Sequence, residues 1–457
     1  MSADSSVKPS YSRELEWLNA NPQVKHITAA VTDLNGVLRG KRLPVAQAEK
    51  VLGGSLRMPP SSLSSDIWGG DIEDNQYADL TGDGDGICQY TGRGILPVNW
   101  TAASHAFIPL WMTGEDGAPF PGDPRGALAA VQQAYADLGL TPVVAMELEF
   151  YLYSLEDGKP VAPYTPDKQR QFDTSGLLSI DEMDQMEPLF NHIYAACEEQ
   201  GIPADAAISE GGAGQYEINL NHLADPLKAA DNTVLFKRII KGVARQLGYG
   251  ATFMAKPFGD RAGNSMHVHF SVLDADGNNI FNDGTEKGSD RLRHAVGGLL
   301  EALPQLTLIF APHYNSYRRL RPHSLAPTRV TWGYENRTAA IRIPGGPAVA
   351  RRIEQRAAGA DANPYLVLAA HLGAALEGMQ EELDPGSPVE GWNYDADAPQ
   401  IPTEWASAID LFEQGDMAKK VFHPALHRQF ISLKRHELVA FKQRVSAFEY
   451  ASYLEDV

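Results

Sequence analysis

Two cysteines, Cys88 and Cys197, are the only thiols in 457 residues. That is too few for a disulfide framework or a thiolate zinc site, and it fits a reducing compartment, so a cytoplasmic protein is expected. No apolar signal core is found either: the opening MSADSSVKPSYSRELEW is polar. The most apolar helical pattern, PYLVLAAHLGAALEGM (364–379), is too short and interrupted to span a bilayer and reads as a buried helix, so no membrane partner is expected. Basic charge is scarce as well. The net charge of −19 comes without a compensating Lys/Arg cluster and argues against non-specific nucleic-acid binding. No GxxxxGK[ST] loop occurs, so this is not a P-loop enzyme, and there is no repeat or low-complexity tract. What remains is an ordinary globular composition, 43% hydrophobic and 21% charged, long enough for one large domain or two to three smaller ones.

Turn and capping chemistry divides the chain. ITAAVTDLNGVLRGKRLP (27–44) is two strands around Asn35-Gly36, a hairpin signal. A short helix and a Gly/Pro/Ser/Asp-rich region follow. The Pro-rich passage 97–124 marks a boundary, placed between residues 110 and 111. Asp123-Pro124, Ser179 with Glu182, and Asp225-Pro226 each start a helix, the second running to Gly201 and the third to about Gly248. MELEFYLY (146–153), PADAAISE, GQYEINL, ATFMAKPF and SMHVHFSVLD read as strands, and 156–178 as a loop. Strands in pairs with helices between them give an α+β fold with an antiparallel-rich sheet.

In MELEFYLY the alternation of a strand turns Glu147 and Glu149 to one face and Met146, Leu148, Phe150 and Leu152 to the other. Glu210 and Glu217 bracket EGGAGQYE, His267 and His269 share a face of SMHVHFS, and Glu354 sits in RRIEQR. Carboxylates gathered on a core-facing surface repel, and their pKa values rise, unless cations hold them. This carboxylate-rich set with little imidazole selects Mg²⁺ or Mn²⁺ over zinc, and such ions accompany phosphate substrates. The segments NSYRRLRP, NRTAAIRIPG and ARRIEQR add Arg318, Arg319, Arg321, Arg337, Arg342, Arg351, Arg352 and Arg356, side chains suited to bidentate grip on carboxylate and phosphate.

Taken in order, MELEFYLY, EGGAGQYEINL, FMAKPFGDRAGNSMHVHFS, NSYRRL, ENRTAAIRIPG and RRIEQRAAGADANPYLVLAA resemble the signature segments of the glutamine synthetase family, densely over residues 140–380. The resemblance implies a β-grasp N-terminal domain over residues 1–110 and a catalytic domain of curved antiparallel strands and helices over 111–457. It implies two or three Mg²⁺ or Mn²⁺ ions per site, ATP as co-substrate, and a homo-oligomer, a dodecamer of two hexameric rings with sites between subunits. By motif, Glu149, Glu210 and Glu217 would hold one metal, and Glu147, His267 and Glu354 the metal on the ATP phosphates. His269 and Ser271 would lie near the nucleotide. Arg337, Arg342 and Arg352 would grip phosphates, Arg337, Arg342 and Glu149 being catalytic. Gly263, Arg319 and Arg356 would bind glutamate.

Two departures bear on the acceptor. Where the family carries an acid in a VPGYEAP-like loop, this chain reads RPHSLAP with Leu325, and the DGSS-like segment is replaced by the acid-free RMPPSSLSS (57–65). Both acids belong to the ammonium pocket. Their loss points to the branch that makes γ-glutamyl amides of primary amines, with putrescine or a polyamine favoured and alkyl, ethanolamine-like or aromatic monoamines as the alternative. Ordinary glutamine synthesis from ammonia would require another acid, such as Asp66 or Asp173. A non-catalytic ring protein of the same fold is the remaining alternative, and the complete ligand set argues against it.

Overall fold

The computed structural model describes residues 11–114, 116–172 and 176–457, so Asp173 lies outside the described residues. Two sheets organise the chain, and the fold is α+β. The first contains β1 (His26–Thr32), β2 (Leu38–Pro44), β3 (Leu56–Met58), β4 (Gly86–Tyr90), β5 (Leu96–Val98) and β6 (His105–Thr113). Its order is β2-β1-β6-β4-β3, with β1 parallel to β6 and β5 also paired to β6. Asn35-Gly36 does sit in the β1–β2 turn, with Gly36 at φ +76°. The expected boundary at 110/111 falls inside β6, because its last residues pair with β4.

The second sheet holds β7 (Thr141–Glu156), β8 (Lys159–Val161), β9 (Ala204–Ser209), β10 (Gln215–Leu220), β11 (Gly250–Thr252), β12 (Met266–Leu273), β13 (Trp332–Tyr334), β14 (Ile341–Ile343) and β15 (Ile353–Gln355). Its order is β13-β14-β15-β12-β7-β10-β9, antiparallel except for β13 with β14. The long central strand β7 survives its acidic face because Met146, Leu148, Phe150 and Leu152 are all buried on the other. Each contributes roughly 1.5–3 kcal/mol. Helices Pro124–Asp137 and Pro226–Gln246 cover that side, and Pro364–Gln380, nearly all buried, packs behind them against Asp290–Phe310. Among the described residues no helix is long and apolar enough to cross a membrane.

Asp123 and Asp225 cap their helices as expected, accepting from Gly126 N at 3.0 Å and Lys228 N at 3.1 Å. Three expectations change. The helix from Ser179 breaks into Ile180–Gln185 and Glu187–Glu199, with Pro188 starting the second piece because it can close no earlier hydrogen bond. ATFMAKPF keeps only β11 as strand. The following backbone is tied instead to Asn264, whose amide donates to Met254 O at 2.9 Å. Residues 156–178 include the hairpin strand β8, reached through Asp157-Gly158, both at positive φ. Cys88 and Cys197 are buried free thiols, both pushed up to about 12 by burial.

Candidate active site

Sheet register brings the expected residues together. Glu147 pairs with His267, Glu149 with Glu217, His269 with Glu354, and Glu354 with Arg342. The result is a diagonal stripe of acids, imidazoles and a guanidinium across five adjacent strands, from β10 through β7, β12 and β15 to β14. Period-two alternation aims all of them at one face.

At one end of the stripe the charges are paired. Glu354 accepts from Arg342 Nη1 at 2.7 Å and from Arg356 Nη1. Burial would raise its pKa, but Arg356, His267, His269 and Arg342 outweigh that and bring it down to about 2. Glu147 lies 2.9 Å from His269 Nε2 and 3.4 Å from His267 Nδ1. Burial opposes its ionisation too, and the two imidazoles hold it well below the usual carboxylate range. His269 Nδ1 accepts from Arg352 Nε at 3.2 Å, which leaves the proton on Nε2, facing Glu147. His267 is pushed down to about 4 by burial and by Arg356, so it presents a neutral imidazole.

At the other end Arg319 and Arg356 compensate only in part. Glu149 accepts from Ser265 N at 2.8 Å and from Gln215 Nε2 at 3.4 Å, yet burial and Glu210 push it up to about 7. Glu217 is pushed up to about 9 by burial and then by Glu147, Glu149 and Glu210. Glu210, half-buried at the turn before β10, is raised chiefly by burial.

Ligand atoms of Glu147, His267 and Glu354, and of Glu149, Glu217 and His267, lie within 4.8 Å of one another. The first trio is one of the two sets expected by motif, and the second joins Glu149 and Glu217 of the other set to His267, with Glu210 beside them. The donors are hard oxygens and one neutral imidazole, and the second trio gathers carboxyls whose burial and mutual repulsion Arg319 and Arg356 offset only in part. Both features fit a divalent cation.

Between the ordinary Glu value of 4.5 and about 9, the metal-free folded chain binds more protons at Glu149 and Glu217 than the unfolded chain does. The contribution of these groups to stability therefore falls as pH rises. A cation held by Glu149 and Glu217 cancels that loss. The thermal shift given by Mg²⁺ or Mn²⁺ relative to EDTA should grow as pH is raised across this window. A shift that stays flat would remove these two groups as ligands.

The remaining expected residues are placed as follows. Arg337 is exposed, and its carbonyl accepts from Arg356 Nε at 3.0 Å. Arg319 is 3% exposed, and its guanidinium donates to Ser265 Oγ at 2.9 Å and to the carbonyls of Arg356 at 3.0 Å and Ala357 at 2.9 Å. It thus fixes the backbone behind Arg356. Gly263 is required by this packing, since a Cβ would fall 2.7 Å from Ala255 O and 2.8 Å from Arg319 Cγ. Ser271 follows His269 on the same face of β12. Leu325 is 55% exposed, at the tip of a loop with φ +59°, and His323 two residues earlier has φ +61°. Non-glycine residues in this region store strain and concentrate at functional sites. His323, Trp392 and Tyr394 form a ring cluster beside it, with centroids 5.2 Å apart for His323–Tyr394 and 6.0 Å for Trp392–Tyr394. Asp66, the alternative acid, is committed to its own loop, accepting from Trp68 N at 3.0 Å and Gly70 N at 2.7 Å.

Sequence reasoning passed over Gln215 and Ser265, which hold Glu149, and His222, which stands within electrostatic reach of His269, Arg352 and Glu147. His222 was legible as a histidine two residues past a strand that carries a ligand. The other two are visible only through register.

Residues 121–453 match the glutamine synthetase catalytic domain. The chain is 35% identical over 442 residues to gamma-glutamylputrescine synthetase PuuA of Escherichia coli (strain K12), covering 95% of this chain and 92% of that protein. It is 36% identical over 340 residues to gamma-glutamylethanolamide synthetase GlnA4 of Streptomyces coelicolor, covering 73% and 72%. Among solved structures, GmaS in complex with ADP is similar with a TM-score of 0.83 at 26% identity, covering 96% of this chain and 99% of that one. By these matches the chain belongs to the glutamine synthetase family and is a ligase.

Proposed function

We propose that this enzyme joins the γ-carboxylate of glutamate to a primary amine at the expense of ATP, with putrescine or a related polyamine as the favoured acceptor. The observation that carries the reading is a contrast. The stripe from Glu217 to Arg342 is complete, while the loop beside it ends in the apolar Leu325. Two relatives named as amine ligases, for putrescine and ethanolamide products, support it.

Glu147, Glu149, Glu210, Glu217, His267 and Glu354 are the proposed ligands of two or three Mg²⁺ or Mn²⁺ ions, which when bound would neutralise phosphate charge as Lewis acids. The γ-carboxylate oxygen of glutamate attacks the γ-phosphorus of ATP, and ADP leaves. Arg337, Arg342 and Arg352 grip the transferring phosphoryl group, where electrostatic stabilisation carries most of the catalysis. His269 and Ser271 lie against the nucleotide. Arg356 meets glutamate, while Arg319 and Gly263 shape the wall behind it. The amine nitrogen then attacks the acyl carbon, phosphate leaves, and one proton is lost. The acyl phosphate must be kept from water until then. The smaller domain is proposed over residues 1–110, with its last strand β6 running on to Thr113. In a dodecamer of two hexameric rings, residues 57–75 of a neighbour would complete the amine pocket. A cytoplasmic setting follows from the thiols.

The acceptor is tested by phosphate release with ATP, glutamate and, in turn, ammonium, methylamine, ethanolamine, putrescine, spermidine and an aromatic amine. Without a carboxylate at residue 325, ammonium forgoes a charge-assisted hydrogen bond of roughly 1.5–3 kcal/mol, about ten- to a hundredfold in affinity. An amine recovers it by burying methylenes against Leu325 and Trp392, at about 0.8 kcal/mol per CH₂. Putrescine or spermidine should lead, and rates should rise toward alkaline pH as the free amine grows. A lead for methylamine, ethanolamine or the aromatic amine would reassign the acceptor to a monoamine. The highest kcat/KM with ammonium would overturn the amine reading altogether.

A further inference from the structure

The helix Pro226–Gln246 carries Lys237, Arg238, Lys241 and Arg245 along one stripe, at positions i, i+1, i+4 and i+8. All four line a cavity of about 430 Å³ closed on its other side by Gly36, Val37 and Leu38 of the hairpin and by Trp100, Thr101 and His105. None of these residues takes part in the ligation chemistry. The volume is within the range of small-molecule sites, and the place is a seam between the first sheet and the helix Pro226–Gln246.

The seam is built rather than incidental. Trp100 lies against the helix at Gly242, where a Cβ would fall 2.1 Å from its indole Nε1. The Arg238 guanidinium is held 5.8 Å from the Trp100 ring and 4.4 Å from the Phe107 ring, and its Nη1 is buried with no hydrogen-bond partner. Lys237 donates to Ala362 O at 2.9 Å. Among the described residues, the one carboxylate whose charge acts on Lys237, Arg238 or Lys241 is Asp361, which acts on Lys237 and accepts from Ser316 Oγ at 2.6 Å. Burial pushes Lys237 down to about 7 and Arg238 to about 10. In a chain with 58 acids against 39 bases, four cations that share a cavity with no lining acid are a marked departure from the rest of the molecule.

We propose that this cavity binds a small multivalent anion, a polycarboxylate or a phosphate ester, on Lys237, Arg238, Lys241 and Arg245, with Trp100 as its floor. The stripe runs about 12 Å along the helix, too long for one monovalent ion to engage, and the pairing of guanidinium forks with ammonium points suits carboxylate and phosphate oxygens.

The test uses the full-length native assembly, titrated calorimetrically with citrate, with glycerol 3-phosphate and with chloride at matched ionic strength, in the presence of saturating Mg²⁺ and ADP to occupy the catalytic stripe. The comparison is a Lys241→Gln/Arg245→Gln double variant, both positions being exposed and outside the catalytic machinery. Citrate or glycerol 3-phosphate should bind the wild type at least about tenfold more tightly than the variant, with KM values for ATP and glutamate unchanged within about twofold. Preference for citrate assigns a polycarboxylate, and preference for the ester assigns a phosphate. Equal affinity in both proteins, an effect reproduced by chloride, or a variant that merely changes its oligomeric state would overturn the proposal.

Discussion

Glu149→Gln should lower kcat/KM for ligation by at least about a hundredfold, and His267→Ala by more, while both proteins keep their fold. The reason is where each side chain stands. Glu149 is buried and donates nothing to apolar packing; its carboxylate accepts from Ser265 and Gln215 and faces Glu217. Glutamine keeps an acceptor for Ser265 N but takes a full charge from the proposed metal site. Losing one such electrostatic element typically costs about 10²–10³ in rate. His267 belongs to both ligand trios, so its loss disturbs both. Stability moves the other way. Glu149 is held up to about 7 in the metal-free chain by burial and by Glu210, so removing its charge relieves repulsion. In EDTA at neutral pH the melting temperature of Glu149→Gln should equal or exceed that of the wild type, and added Mg²⁺ should raise it less. Near-wild-type turnover in either variant would refute the metal assignment. A loss of activity accompanied by loss of the folded state would instead make Glu149 a structural residue.

Much of this stripe was legible because a strand is a simple projector. Glu147 and Glu149 two apart in an apolar run, and His267 and His269 two apart in another, can only share a face. The helix starts at Asp123, Ser179 and Asp225 were legible for a similar reason: the cap is chemistry local to four residues, and all three side chains accept the expected backbone N–H. What could not be read was contact between distant segments. Gln215 reaches Glu149 only because β10 pairs with β7 in one register. Arg319 announces a charge but not its burial, which depends on the Ser265 hydroxyl and the carbonyls of Arg356 and Ala357. The parallel pairing of β13 with β14 was invisible until the sheet was placed, and the cations of the Pro226 helix, already at helical spacing in the sequence, gained meaning only once the fold set them on a cavity. Asp157-Gly158 was a missed local signal: the dipeptide favours a hairpin, and both residues take the left-handed conformation there.

Glu437→Ala should destabilise the folded chain by about 3–5 kcal/mol, the usual cost of stranding one partner of a buried ion pair. Lys434 and Glu437, on the helix Pro424–Gln443, are both 0% exposed and 2.9 Å apart. They close on the hairpin turn of the first sheet: Lys434 donates to Asn35 Oδ1, and Asn35 Nδ2 donates to Glu437 Oε1 at 2.8 Å. The same carboxylate accepts from Ile67 N at 2.9 Å. From the other side, Asn363 Nδ2 donates to Asp33 O at 2.9 Å. One carboxylate therefore ties the Asn35-Gly36 turn, the loop after residue 65 and the C-terminal helices together. Alanine leaves the Lys434 ammonium buried without its counter-charge and two N–H groups without an acceptor. The double variant Lys434→Met/Glu437→Leu removes both charges at similar volume and should recover only part of the loss, because Asn35 and Ile67 N stay unsatisfied at a cost of about 1–3 kcal/mol each. Hydrogen exchange resolves the site: amides over residues 33–38 and 65–70 should lose protection first in Glu437→Ala, ahead of β7 and β12. Because residues 57–75 are the part that the proposed amine pocket takes from a neighbouring subunit, the variant should also raise KM for the amine more than KM for ATP. Unchanged protection at both segments would show that the Lys434–Glu437 pair does not clamp the turn, and that apolar packing alone docks the first sheet.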